Sequence, residues 1–415
     1  MCDGLKHTIH APFFPVQTKH FHGSNEVFIG VCMSVTDVGD ILMSLLLLKY
    51  YRKSGLHKNV VIFFNVISGA SLIGFGLSDG ISTVWLYELS QVFFRFVIGI
   101  AFGIEFCLGI VVLVSFSESS TTKSMLFSSV FVAFYLGVSV APSLGNILFK
   151  MFGYQWIFVI VGGFCILSTF ALLPIQPKVK QSYKELIPIP DQTSSSYSIF
   201  KNLHVLQKCY AQIAVYSSGA VIDSNFSLYL FEDFNFSLIS IGWIFAVGNM
   251  ISLFSSVLSI ILNGKKWHQL NFASATLMHC LAFFILLASC QFRMFGFALV
   301  GFCIFSFARS MVSGTNMLCM KSCIENNLQD QFKGNALSVA ASTSNILCAL
   351  GRIIGFIFLG GVFVEFIGFY FVIVVTFLMC TLAGLSEVIV GVLDFFKNCK
   401  SPFKNIVFCI NVDEQ

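Results

Sequence analysis

The chain has 415 residues, 56% of them hydrophobic and only 11% charged. Soluble domains carry about 25% charge, so this composition excludes a soluble enzyme or binding module and requires a polytopic membrane protein. A formal charge of +4 is too small to direct binding to nucleic acid, and the fourteen cysteines have neither the spacing of a disulfide framework nor that of a zinc site.

Residues 1–26 are polar and carry His7, His10, His20 and His22. They lack the basic-then-apolar pattern of a leader and any regular metal-ligand spacing. A loosely ordered, solvated, lumenal segment is expected. Eleven stretches then approach the roughly 20 apolar residues that a membrane helix needs. They lie near 27–48, 60–77, 89–114, 125–149, 156–173, 210–230, 239–262, 270–287, 295–319, 336–364 and 369–393. The proline- and serine-rich stretch 174–209 separates a first bundle, 27–173, from a second, 210–393, with a tail after 394. Of the 24 lysines and arginines, seventeen fall in alternate loops and the tail, which marks those as cytoplasmic. Lys6, Lys19, Lys150 and Arg293 fall on the other side.

Seven charged residues lie deep inside the spans, Asp37, Asp40, Arg95, Glu105, Asp223, Arg309 and Arg352, and an eighth, Glu387, lies toward the end of the last. One charge at a bilayer centre costs roughly 2.5–3.5 kcal/mol, so seven facing lipid would cost about 20 kcal/mol. They must line a protein or water-filled interior, as a transporter requires. Asp37 and Asp40 share a helix face, and two carboxylates that close in a poorly solvated cavity resist joint ionisation. Such a pair suits a proton or an ammonium ion; the structural alternative is a pair satisfied by Arg95 or by backbone. Asp223, deep in its span, is the candidate carboxylate for substrate amine or proton, against a static ion pair with Arg309 or Arg352. Arg95 stays charged and would hold a carboxylate deprotonated. Glu105 lies ten residues further, about 15 Å along a helix, too far to be its partner. Arg309 and Arg352 could neutralise acids or accept an anionic substrate. His279, on an apolar span, reads as a buried hydrogen-bonding residue. Asn235-Phe236-Ser237 is a glycosylation sequon on a short loop, and Cys399 and Cys409 near lysines are candidates for palmitoylation.

The two parts of the chain resemble each other. Gly137, Pro142 and Gly145 precede Phe152-Gly153-Tyr154, and Gly351 and Gly355 precede Ile367-Gly368-Phe369. Small residues at such spacing let helices approach closely, and their recurrence points to two homologous halves.

Residues 137–145 with the Phe-Gly-Tyr-Gln-Trp that follows resemble the fifth-helix motif of major facilitator superfamily antiporters. Arg95 to Gly99 and Gly103 resembles that superfamily's fourth-helix arginine–glycine motif. Ala11-Pro12-Phe13-Phe14-Pro15 through Gly30 is similar to the exit from helix one in the vesicular amine transporter group, with the polyamine-transporter-like branch the best fit. Residues 222–235 and Ser322-Cys323-Ile324-Glu325-Asn326 resemble that branch too. The resemblance implies an all-α fold of two six-helix bundles around a cavity, with helix one largely missing from this sequence. It implies that Gly99, Gly103, Gly137, Pro142, Gly145, Gly351 and Gly355 serve packing and gating. It implies that Asp223 and Arg95 match functional positions, and that the seven buried charges serve substrate binding or proton coupling. The loop 48–58 and its counterpart 262–267 lack the family's acidic residue, Ser224 and Phe356 stand where the branch has proline, and no acidic residue of helix one is present; a truncated gene model is the expected reason for the last, and loss of transport the alternative.

The expected function is proton-coupled antiport of an organic amine, a polyamine or monoamine, into an acidic compartment. The alternatives are an organic-anion carrier and a non-transporting scaffold or sensor. Zinc-protease, serine-hydrolase and P-loop motifs are missing from the sequence, so no enzyme is expected. No cofactor is expected, the proton gradient being the driving force. The expected partners are an organic cation, protons and the lipid bilayer, with a monomer in a vesicle, lysosome-like or plasma membrane.

Overall fold

A computed structural model describes residues 2–50, 58–115, 120–172, 203–264, 268–327 and 336–399. The loop motifs at 51–57 and 265–267, most of the central stretch, Cys409 and the side chain of Cys399 lie outside the described residues. The elements in chain order begin with α1 (Cys2–Thr8) and α2 (Phe14–Val16), which continues as a π-helical turn, Gln17–Phe21. Then come α3 (Glu26–Tyr50), α4 (Lys58–Leu77), α5 (Val84–Ser115), α6 (Ser120–Phe152) and α7 (Tyr154–Ser168). The second half has α8 (Leu203–Phe234), α9 (Leu238–Gly264), α10 (His268–Phe292) and α11 (Phe295–Asn327). It ends with α12 (Ala336–Ile353), its π-helical continuation Ile354–Phe363, α13 (Val364–Ile367) and α14 (Phe369–Cys399). The described residues form no strand.

Nine helices among the described residues are long and apolar enough to cross a membrane. Two more long helices, α6 and α8, complete the expected eleven. Among the described residues of α6, Leu136–Phe152 is an apolar stretch. In α8 the buried polar residues Gln212, Ser217, Ser218, Ser224, Asn225 and Ser227 dilute the apolar signal because this helix is wrapped by protein rather than lipid. Large apolar side chains are exposed around the bundles, among them Phe93, Phe164, Phe254 and Leu382. A soluble protein rarely leaves that much apolar surface open. Trp85, Trp156 and Trp243, all exposed, sit at the starts of α5, α7 and α9. Successive spans alternate in direction, so these three mark one membrane boundary, as tryptophans do.

In lipid, helices gain little by hiding apolar surface from one another and associate through close packing and hydrogen bonds. A side chain on Gly99 would run into the backbone of Thr36, and one on Gly103 would lie 2.8 Å from the Asp40 carbonyl, so these glycines set α5 directly against α3. A side chain on Gly355 would meet the Ser217 carbonyl, and one on Gly351 would lie 2.9 Å from that of Ile213, which sets α12 and its π-helical continuation against α8. In the first half, Gly4 of α1 abuts α6 at Phe134–Val138, beside Gly137, and Gly145 of α6 faces Phe13 and Ile9. Pro142 lies inside α6 and cannot donate to the carbonyl four residues back. That carbonyl, on Val138, is reached by the Thr8 hydroxyl at 3.4 Å. The internal repeat is visible in the backbone as well: Gly153 and Gly368, at matching turns, have φ of 84° and 91°, a region that disfavours any side chain.

The bundles meet along two seams, α6 with α9 and α3 with α12 and its π segment. Asn146 donates to the Ile239 carbonyl at 3.0 Å and Ser139 to that of Asn249 at 2.7 Å.

The expected loose, solvated segment at 1–26 is corrected. Residues 2–22 are helical over most of their length, and Leu5, Ile9, Phe13, Phe14 and Val16 are buried in the first bundle. Apolar residues interleaved among the polar ones find a helical face against α6 and α7. Its charged residue Lys6, read as lying in an outer loop, is inside the bundle.

Candidate functional site

The glycine seam between α3 and α5 turns Asp37 and Asp40 toward the second bundle. There α12 presents Arg352, whose Nε donates to Asp37 Oδ1 at 2.6 Å, while its Nη2 lies 4.0 Å from Asp40 Oδ2. Asp40 Oδ1 accepts from Ser44 at 3.1 Å, and Ser44 in turn lies 3.5 Å from Asn345 Nδ2 of α12. The side chains of Asp37 and Asp40 are 2% and 1% exposed. Two carboxylates thus share one guanidinium across the bundle seam, and among the described residues Asp40 Oδ2 has no hydrogen-bond partner. The partner foreseen for this pair, Arg95, is elsewhere.

Arg95 projects from α5 into an aromatic nest. Its guanidinium carbon lies 5.0 Å from the Phe75 ring centre and 5.6 Å from that of Phe14, and Nη2 points at the Met33 sulfur at 3.3 Å. Cation–π attraction replaces the expected carboxylate; among the described residues no ion pair to Arg95 is present, which corrects that expectation.

In the second bundle Asp223 of α8 meets Arg309 of α11 as a two-pronged pair, Nη1 to Oδ1 at 2.9 Å and Nη2 to Oδ2 at 2.8 Å. Fork-to-carboxylate pairing of this kind fixes geometry as well as charge. Gly219 makes room for it: a side chain there would sit 3.3 Å from the guanidinium carbon. Asp223 and Arg309 are 19% and 23% exposed, more than Asp37 and Arg352 at 2% and 11%. Behind it, the His279 ring stands edge-on to Phe305 at 5.4 Å, Nδ1 lies 3.3 Å from the Ala275 carbonyl, and Nε2 has no partner among the described residues.

A polar seam joins the two arginines. The Arg309 carbonyl accepts from Ser313 at 2.9 Å, Ser313 accepts from Tyr216 at 3.0 Å, and the Tyr216 ring lies 5.9 Å from the Arg352 guanidinium. Asn316 Oδ1 accepts from Ser344 at 2.9 Å, and Ser344 from Gln212 at 3.0 Å.

Reading the sequence alone missed three features. Lys6, whose charge hid in a polar N-terminal stretch, reaches Glu105. Lys208, assigned to the central loop, pairs with Glu387 inside the second bundle; a lone acid in span eleven was the available signal. At the Trp-rimmed end, Lys19 bonds Glu26 at 2.6 Å and Glu232 at 2.9 Å, and His20 lies 3.1 Å from Glu232. Glu26 N donates to Glu365 at 3.0 Å. These contacts tie the turn after α2 to α3 and α8, and α3 to α13, at that end. No cluster of ligands suited to a metal ion is present among the described residues.

Two helical bundles with apolar outer faces, paired charges inside them and glycine seams between helices form the architecture of a transporter fold. The sequence profile of the Major Facilitator Superfamily matches residues 1–355, and the chain belongs to that superfamily. Within it the likeness is to the SLC18-like branch. The mouse (Mus musculus) MFS-type transporter SLC18B1 is 25% identical over 275 residues, 63% of this chain and 56% of the relative. The rat (Rattus norvegicus) protein of the same name is 25% identical over 273 residues, with the same shares. The match thus spans about half the length of these relatives. Among solved structures, a mutant of the nucleoside transporter NupG superposes with a TM-score of 0.70 at 11% identity, covering 93% of this chain and 97% of that one. A second structure of NupG gives 0.68 at 13% identity, covering 93% and 96%. Both likenesses speak to fold alone.

Proposed function

We propose that this transporter exchanges protons for an organic amine, a polyamine or monoamine, moving it into an acidic compartment. The observation that carries the reading is the placement of Asp223: a carboxylate in a membrane-spanning helix, partly exposed, and held by a partner that an incoming cation can displace. Asp37 and Asp40, two buried carboxylates sharing Arg352 across the bundle seam, suit the proton role. Neutralising one of them loosens the guanidinium from α3 and so weakens the link between bundles, which is how proton binding would be coupled to rocking of the halves. The likeness to the SLC18-like branch supports the reading at the level of a carrier.

The test is uptake of labelled spermine and serotonin into proteoliposomes driven by a pH gradient. Uptake that collapses when the gradient is dissipated, and that Asp223→Asn abolishes while protein yield is kept, supports the reading. Wild-type-like uptake by Asp223→Asn overturns it. A second reading is an organic-anion carrier, and the exposure of Arg309, slightly greater than that of Asp223, favours it. It predicts uptake of a labelled dicarboxylate that Arg309→Ala eliminates. Absence of all flux in well-folded protein leaves the scaffold.

A further inference from the structure

A side chain with an ammonium group occupies a ready-made pocket in the first bundle. Lys6 Nζ lies 2.7 Å from Asp3 Oδ1 and 2.8 Å from Glu105 Oε2, and it donates to Asn65 Oδ1 at 3.3 Å. Three oxygens around one nitrogen match the three donors of a primary ammonium ion. The walls come from three separate helices: Asp3 from α1, Asn65 from α4 and Glu105 from α5. Asn65 is itself fixed, its amide donating to the Cys165 carbonyl of α7 at 3.3 Å, so the acceptor faces inward whether or not the pocket is filled. The side chains of Lys6 and Glu105 are 2% and 5% exposed. A second, independent mark of a cation site is Glu105 Oε1, which is buried and has no hydrogen-bond partner among the described residues. Lys6 therefore leaves part of the acceptor capacity unused.

We propose that Asp3, Asn65 and Glu105 form a primary-ammonium site and that Lys6 is its built-in occupant, a tethered amine held where a free one would bind. A buried carboxylate left without its cation is strongly disfavoured, so filling the site internally keeps the first bundle closed around α1. The site stands on its own geometry. Its consequence for cargo rests on the amine reading above: with Glu105 already neutralised from within, an amine substrate is directed to Asp223 in the second bundle.

The experiment removes the occupant and offers it back. Lys6→Ala deletes the propylammonium portion of the side chain, and the purified variant is heated with n-propylammonium chloride, with n-propanol, or with tetramethylammonium chloride at equal ionic strength. The expected result is a lowered thermal midpoint that n-propylammonium raises in a dose-dependent way, by a larger shift than in wild type, while the other two do not. Equal shifts in variant and wild type, or equal rescue by n-propanol, overturn the proposal. Should Lys6→Ala fail to fold alone, the same three additions are made during extraction and the yield of monodisperse protein is read; selective recovery with n-propylammonium supports the site, and no selectivity overturns it. In Lys6→Ala/Glu105→Gln the rescue disappears; persistence there means the amine binds elsewhere and overturns the assignment. These readouts require no transport, so they fail or succeed separately from gradient-driven uptake.

Discussion

At Asp223 both carboxylate oxygens are taken by Arg309, so a cationic ligand must compete with the protein's own guanidinium. The pair is partly exposed, and solvent reaching it would screen it and keep it exchangeable. Arg309→Ala removes the competitor and should lower the KM for amine roughly tenfold, the equivalent of about 1.4 kcal/mol, while Asp223→Asn eliminates uptake. An anion carrier reverses the order, with Arg309→Ala the inactive variant. Measuring KM for both variants with spermine and with a dicarboxylate separates the two. That Asp223 pairs with an arginine was legible from the sequence as a static pair with Arg309 or Arg352, because a buried charge needs a counter-charge and few were available. What the sequence left open was which arginine. The choice is settled by helix facing, α11 lying across α8 where Gly219 gives the guanidinium room, and no linear spacing encodes that. The same limit explains Arg95, whose partners are the rings of Phe14 and Phe75 among 49 phenylalanines that otherwise look alike.

The elements are held by backbone-to-backbone approach, and this makes a sharp contrast testable between two glycines. Gly99 has the Thr36 backbone against it, whereas a side chain at Gly163 of α7 would meet nothing within 4 Å. Gly99→Ala should destabilise by about 1–3 kcal/mol, the usual range for overpacking, and Gly163→Ala should stay within about 0.5 kcal/mol of wild type. Thermal midpoints of the two variants in one detergent check this, and equal midpoints would show that α3 and α5 yield to one another. The spans and the twofold repeat were readable because apolar runs and recurring glycines are local signals; the φ values of Gly153 and Gly368 reproduce the repeat in the backbone. The helical nature of residues 2–22 was not readable. A short, polar helix stands only because α6 and α7 receive its apolar face, and tertiary support of that kind leaves little trace in composition.

For the molecule as a whole, the Trp-rimmed end of the bundle seam and its middle are held by different chemistry. At the Trp-rimmed end, burial by itself lowers the pKa of the Lys19 ammonium, but its hydrogen bonds and charge pairing with Glu26 and Glu232 outweigh this and raise it above the ordinary lysine value. The stabilisation from Lys19 is therefore complete below the ordinary lysine range and is lost only as pH rises through the higher folded value. Acidification of a compartment does not discharge this latch at the lysine. Lys19→Met should speed amide exchange in the α8–α9 turn, Asp233–Ser237, by the same factor at pH 7 and pH 8. A factor that shrinks toward pH 8 would show Lys19 losing its proton in that range.

Deeper in the seam, Asp37, Asp40 and Arg352 form a link whose strength a proton can change, because two buried carboxylates face a single guanidinium. Removing the shared cation is the severe change: Arg352→Gln leaves both acids uncompensated and should cost about 3–5 kcal/mol. Asp37→Asn leaves Arg352 beside Asp40 and should cost less. Combining them, Asp37→Asn/Arg352→Gln, removes one acid together with the cation and should recover part of the loss, a coupling of roughly 1–3 kcal/mol, measurable as a cycle of thermal midpoints. Stability alone would fit a purely structural bridge, so the deciding readout is uptake. If the link is what protonation releases, the double variant moves amine down its own concentration gradient and no longer responds to a pH gradient. If it is only a brace, uptake by the double variant stays driven by the pH gradient, and the proton must be carried by a carboxylate elsewhere.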